Sequence, residues 1–351
     1  MGTWRWRPLG GCFQTWFFSV VLAGLLTAVA GCREPEVVVY SALDSVFSEP
    51  ILKDYERLTG VRVRARFDAE STKTVGLTEA LISEAAAGRT RCDLFWNNEI
   101  LNTLRLEREG LLDVYLSPTH ATYPAQFRSA NQTWHGFAAR ARVLIVNTEL
   151  VPGEERPTSI HDLADPQWRG RVGIAKPLFG TTATHAACLF AIWGDEPAKA
   201  YFRSLKQNQV SIESGNKQVA LRVAGGQLAF GMTDTDDAMI ELKEGRPVAI
   251  VYPDQQAGGM GTLFIPNTLA LLKNSPNSER ARRLVDYLLS SEVEARLAAG
   301  PSAQIPLNLE VDVELRVETP ATIRAVEVDF AAAADKWDTA ATFLRDEFTA
   351  P

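Results

Sequence analysis

Three aspartates fall close together at Asp234, Asp236 and Asp237, in the segment Gly231-Met232-Thr233-Asp234-Thr235-Asp236-Asp237. Carboxylates this close repel one another unless positive charge lies between them, so the spacing points to a cation or a ligand ammonium. Asp236 and Asp237 are the candidate metal ligands. The same residues also suit a structural end, since Asp and Thr cap helices and first-turn acids complement the macrodipole. A second group, Gly180-Thr181-Thr182-Ala183-Thr184, opens a helix with unbonded backbone N–H groups and hydroxyls. Such an end favours a phosphate, phosphonate or carboxylate, with Thr181 and Thr182 as ligand contacts or as ordinary caps. Ser41, Asp44 and Ser45 at the end of the first strand, and Asn97 with Asn98 at the mouth of another, are further candidates. Anion donors beside carboxylates suit two kinds of small polar ligand: a metal ion with a synergistic anion, or a phospho- or amino-zwitterion. Tyr252, Asp254 and Gln255 are weaker candidates. Arg140 and Arg142, at i and i+2, share one strand face that reads as a solvated hinge surface, with pairing to the aspartates or a ligand anion as the alternative.

These groups sit where strands end. Glu36–Tyr40, Val61–Phe67 and Cys92–Trp96 read as strands, each followed by a helical stretch, the first from Glu49 to Thr59, which is the alternation of a parallel sheet with crossover helices. Two long strand-like stretches, 134–147 and 262–272, bracket a second block of alternating strands and helices. In that block an apolar run, 228–232, precedes the aspartates, and a helix over 236–244 follows them. Ligands of open α/β sheets bind at the carboxyl edge of strands. The fold class is therefore α/β with two lobes, each a mixed sheet flanked by helices, joined by two crossing hinge strands. The boundaries expected are 37–138 with 265–308 for one lobe and 139–264 for the other. The tail, 309–351, is expected to pack on the second lobe, with a helix over 327–345.

The chain has 351 residues and a net charge of −7, enough for two lobes and contrary to the basic face of a nucleic-acid binder. Arg5 and Arg7, an apolar core from Trp16 to Ala30 and Val29-Ala30-Gly31-Cys32 read as a signal peptide (1–31) with a bacterial lipobox. The apolar run is short for a membrane span. Cys32 would then be lipidated and tether the mature protein outside the cytoplasmic membrane. Cys92 and Cys188 lie in apolar contexts in different lobes and are expected as buried free thiols. The scattered histidines and the lack of a CxxC pair argue against a zinc site.

Several motifs resemble the substrate-binding proteins of ABC importers, and among them the ferric-iron branch. They are Val39-Tyr40-Ser41, Trp168-Arg169-Gly170-Arg171-Val172-Gly173-Ile174, Phe179-Gly180-Thr181-Thr182, Gly226-Gln227-Leu228-Ala229-Phe230-Gly231 and Val251-Tyr252-Pro253-Asp254-Gln255. The resemblance covers about residues 37–308 and implies a type II periplasmic-binding-protein fold that closes on a solute about its hinge. It also implies delivery to a membrane permease with a cytoplasmic ATPase. Iron-binding members hold the metal with tyrosines. The corresponding positions here are Asp236 and Asp237, Leu43-Asp44-Ser45 and Leu144-Ile145-Val146, so the phenolate set is replaced. A monomeric solute receptor with no catalytic residue and no resident cofactor is the leading expectation. A ligand-presenting sensor and a metal-assisted hydrolase using the aspartates are the alternatives.

Overall fold

The computed structural model describes residues 1–4, 34–68 and 74–349. Residues 5–31 of the expected signal peptide and Cys32 fall outside the described residues. Among the described residues no helix is long and apolar enough to cross a membrane. The elements that follow belong to the compact unit Glu36–Pro351.

In chain order they are β1 (Glu36–Ser41), α1 (Ser45–Thr59), β2 (Arg62–Phe67), α2 (Val75–Ala86), β3 (Leu94–Asn97), α3 (Leu101–Arg108), β4 (His135–Asn147), β5 (Val172–Ala175), α4 (Gly180–Trp193), α5 (Asp195–Gln207), β6 (Ser211–Glu213), α6 (Asn216–Ala224), β7 (Phe230–Asp234), α7 (Thr235–Lys243), β8 (Val248–Val251), β9 (Phe264–Leu271), α8 (Ser278–Leu288), α9 (Ser291–Ala299), α10 (Phe330–Asp335) and α11 (Trp337–Thr349).

The strands run in the order β2-β1-β3-β9-β4-β7-β5-β6, with β8 also paired to β4. The strand β4 joins the two lobes. It is buried along its whole length, which accounts for its nearly continuous apolar sequence. Its first half pairs with β9, ending at Ala141↔Phe264. Its second half pairs with β7 from Arg142↔Asp234 onward and with β8. The switch between Ala141 and Arg142 makes β4 and β9 the crossing strands of a two-lobed α/β fold. Just before it, the ladder bulges between Phe137 and Arg140, with Ala138 at a φ of 42°, and such bulges re-aim the side chains that follow.

Three boundaries differ from the sequence reading. The helix expected from Glu49 begins at Ser45 despite Pro50, because Phe47, Ile51, Leu52 and Tyr55 form one buried stripe that outweighs a lost hydrogen bond. The strand before the aspartates runs from Phe230 to Asp234 rather than stopping at Met232, so Asp234 is its last residue. The tail helix is broken into α10 and α11 at Lys336. Cys92 and Cys188 are free and buried, as expected.

Candidate ligand-binding site

Three strand ends of the second lobe, those of β5, β6 and β7, meet β1 and β3 of the first around one polar cleft of about 430 Å³, its open mouth included. From the second lobe come Lys176 after β5, Phe179 to Thr182 at the start of α4, Ser214 to Asn216 before and at the start of α6, and Asp234, Asp236 and Asp237 around the start of α7. Ala175 at the end of β5, with Asp44, Asn98 and Arg140, completes the lining.

The helix starts supply hydrogen-bond donors. Phe179 and Gly215 occupy the N-cap positions of α4 and α6, and neither makes a side-chain cap. The first N–H groups of each helix have no intrahelical acceptor and carry the positive end of the macrodipole. Gly180 enters α4 at a φ of 55°, a conformation that glycine adopts without a Cβ clash.

Asp234 is not a free ligand carboxylate. Its Oδ1 accepts from Arg142 Nη1 at 2.6 Å, and its Oδ2 accepts from Thr181 Oγ1 at 2.5 Å and Asn216 Nδ2 at 3.0 Å. Arg142 also donates to Thr182 Oγ1 at 3.2 Å and to Asn216 Oδ1 at 3.1 Å. Burial alone would push the Asp234 carboxyl up, but Arg142 and then Arg140 hold it below the usual carboxylate range. The reading of Arg140 and Arg142 as a solvated face is therefore corrected: they are 2% and 1% exposed. The physical reason is the β4–β7 register, which sets Arg142 opposite Asp234. Arg140 lies 3.6 Å from Asp236 through Nη1 and donates to the Asn98 carbonyl. Burial lowers its basicity, yet Asp236 first among four aspartates raises it overall. Two guanidinium groups are thus the positive charge that lets three carboxylates, with oxygens within 4.8 Å of one another, share one edge.

Of the residues singled out in the sequence, Asp44, Thr181, Thr182, Asp234, Asp236 and Asp237 come together on the cleft. Ser41 and Asn97 do not line it. The Ser41 hydroxyl donates to the Leu43 carbonyl at 3.2 Å and packs near Ser48, while Asn97 Nδ2 donates to Glu99 and Thr103. Strand alternation turns the next residue, Asn98, to the cleft instead. Its Oδ1 is buried with no partner among the described residues. Tyr252, Asp254 and Gln255 hold other segments: Tyr252 Oη accepts from Glu318 N, Asp254 accepts from Ser159, and Gln255 donates to the Arg324 carbonyl. Lys176 and Asn216 are lining residues that the sequence reading missed. Each directly follows a short strand or opens a helix, so the rule that located the aspartates would have found them. None of the seven tyrosines lines the cleft; Tyr40, for example, donates to Glu84 and Tyr201 to the Ile160 carbonyl.

The chain is similar to proteins of this architecture. The iron uptake protein A1 of Synechocystis sp. is 27% identical over 84% of this chain and 86% of its own length. Iron-bound HitA from Pseudomonas aeruginosa superposes with a TM-score of 0.80 at 23% identity, covering 90% of this chain and 99% of that one. AfuA from Actinobacillus pleuropneumoniae, with fructose-6-phosphate bound, gives a TM-score of 0.80 at 21% identity over 91% and 100%. These likenesses carry the two-lobed type II periplasmic-binding-protein fold. The family model for bacterial extracellular solute-binding proteins matches residues 103–334, about two thirds of the sequence, and the chain belongs to that family.

Proposed function

We propose that this protein captures a small solute carrying a phosphate or phosphonate group in the inter-lobe cleft, without chemical conversion, and delivers it to the permease and ATPase of an ABC importer. The observation that carries the reading is the convergence of two uncapped helix starts and Lys176 on a cleft whose other wall is acidic. Helix N-termini and a lysine bind a multivalent oxyanion. Asp44, Asp236, Asp237 and the unpartnered Asn98 Oδ1 accept hydrogen bonds from the ammonium or hydroxyls of the same solute. Asp234, Thr181, Thr182 and Asn216 hold Arg142 and the helix starts in place. Bound relatives named for iron and for a sugar phosphate make both cargo classes worth comparing.

The working assembly is a monomer outside the cytoplasmic membrane, tethered through lipidated Cys32. Its lobes are taken as 37–138 with 265–308, and 139–264. The tail is supported as a clasp for the second lobe by Lys336–Asp195 at 2.7 Å and Lys206 donating to the Glu347 carbonyl at 2.6 Å. It also reaches the first lobe through Arg108–Asp335 at 2.8 Å.

Calorimetric titration with inorganic phosphate, an aminoalkylphosphonate, fructose 6-phosphate and ferric citrate tests the proposal. At least one phosphorus oxyanion binds, and Lys176→Ala weakens it roughly tenfold or more, as expected for a lost charge-assisted contact. Ferric binding with no response to any phosphorus compound would replace this reading with a second one. In that reading Asp236 and Asp237 hold a metal ion as cargo beside a synergistic anion, favoured by the closeness of the carboxylates.

A further inference from the structure

In the first lobe β1 and β3 run towards the cleft, where Asp44 and Asn98 follow them. The strands start at the opposite face, where β1 and β2 begin in register at Glu36↔Arg62. Asp93, directly before β3, accepts from Val38 N at 2.7 Å and from Asn277 N at 2.8 Å, which brings the start of α8 to the same face. Leu272 N donates to the Asp93 carbonyl at 3.2 Å, setting Lys273 beside it, and Arg283 shares a surface hollow with Asn277. Arg62, Arg64, Arg89, Arg91, Lys273 and Arg283 are all exposed. The neighbouring acids are engaged. Glu36 lies 3.7 Å from Arg64 and Glu279 2.8 Å from Arg282, and Asp54 pairs with Arg57 and Arg296. Glu56 and Glu84 accept from Val63 N and Arg91 N. On a chain of net charge −7, this basal face turns cations outward. Leu58, in the last turn of α1 beside it, is 72% exposed.

We propose that the basal face of the first lobe rests on a bilayer surface bearing anionic headgroups. This rests on the reading of Cys32 as a lipid tether, since Glu36, the first residue of β1, lies four positions after Cys32. Four residues span at most about 14 Å, so the start of β1 stays within roughly two Debye lengths of the headgroups. The linker residues Arg33, Glu34 and Pro35 add no net charge of their own. Each Lys or Arg held near an anionic surface strengthens partition roughly fivefold, and Leu58 adds an apolar contact at the interface. Tether and face together fix orientation as well as location. The cleft, at the other end of the same strands, is turned away from the bilayer towards arriving solute.

The test places the processed full chain on vesicles of phosphatidylcholine alone and of phosphatidylcholine with roughly one third phosphatidylglycerol. Hydrogen–deuterium exchange is read by mass spectrometry over 57–64 and 87–93. The expected result is exchange slowed roughly threefold or more on the anionic vesicles alone, and restored by high salt. The double variant Arg89→Glu, Arg91→Glu and the single variant Leu58→Ser lose that protection. All three positions are exposed, and unchanged circular dichroism is the control for folding. Equal exchange on both kinds of vesicle, or protection that the variants keep, would overturn the basal face and leave the tether standing. Protein that stays on anionic vesicles but washes off neutral ones supports the face and overturns the tether. Protein that washes off both overturns both.

Discussion

At the scale of single residues, three neighbouring aspartates do different work. Asp234 closes a buried network with Arg142, Thr181 and Asn216, whereas Asp237 lines the cleft. Removing one partner of a buried ion pair leaves an uncompensated charge and costs about 3–5 kcal/mol. Asp234→Ala should therefore lower the unfolding free energy by an amount of that order, read as a lower urea midpoint at an unchanged m-value. Asp237→Ala should change stability by no more than about 0.5 kcal/mol and instead weaken solute binding in a calorimeter. A large stability loss in the second variant would count against its assignment to the ligand. The aspartates were legible as a cluster because they are adjacent in sequence. Their division of labour was not, since it depends on Arg142, 92 positions away in sequence from Asp234.

At the scale of elements, the helix starts reach the cleft only because the second sheet is packed tightly. A Cβ at Gly231 would lie 2.5 Å from Val219 Cγ1 and 2.7 Å from the Gly173 carbonyl oxygen. The absence of a side chain there allows α6 to settle on β7 and β5, which sets the position of the Gly215-Asn216 turn. Gly231→Ala should cost roughly 1–3 kcal/mol through overpacking, read as a lowered melting temperature, and should weaken phosphate binding because the α6 start moves. Normal binding in a destabilised variant would separate packing from the site. The strand–helix order could be read from apolar runs and their breakers, and most elements lie where those runs are. The starts of α1 and α7 and the end of β7 were displaced by one to four residues, because the core stripe of α1 and the β4 pairing of β7 override local signals.

For the molecule as a whole, the bulge in β4 is gripped by a buried carboxylate. Glu294 on α9 accepts from Ala138 N at 2.5 Å, from Leu307 N at 3.1 Å and from Asn308 N at 2.6 Å. Burial pushes its pKa up to about 7, against the pull of these amides. The folded state therefore holds a proton that the unfolded chain has released, from about pH 4.5 to about pH 7. Across that window Glu294 contributes stability that declines as pH rises, by on the order of 3 kcal/mol in total. His135 and His185, pushed down by burial to about 4 and about 3, contribute the opposite slope, losing stability as pH falls below 6.5. The difference between wild type and Glu294→Gln isolates the glutamate. Urea unfolding at several pH values should show the variant gaining on the wild type as pH rises from 5 to 7.5. A constant difference would mean that Glu294 does not titrate in this range.

By itself, the order of apolar runs, turn residues and strand-end polar groups determined that this chain is a two-lobed α/β protein with a polar cleft, and it located most of the cleft residues. Those features are local, and local patterns survive in a single sequence. Tertiary structure alone decided which side chains face the cleft and which are spent on holding it. The β4 register buried Arg142 against Asp234, and the alternation at the end of β3 exchanged Asn97 for Asn98. Lobe apposition then brought Asp44 onto the cleft that Asp237 lines. Each of these depends on pairings between residues far apart in the chain, whose energies are set by packing that no short stretch encodes.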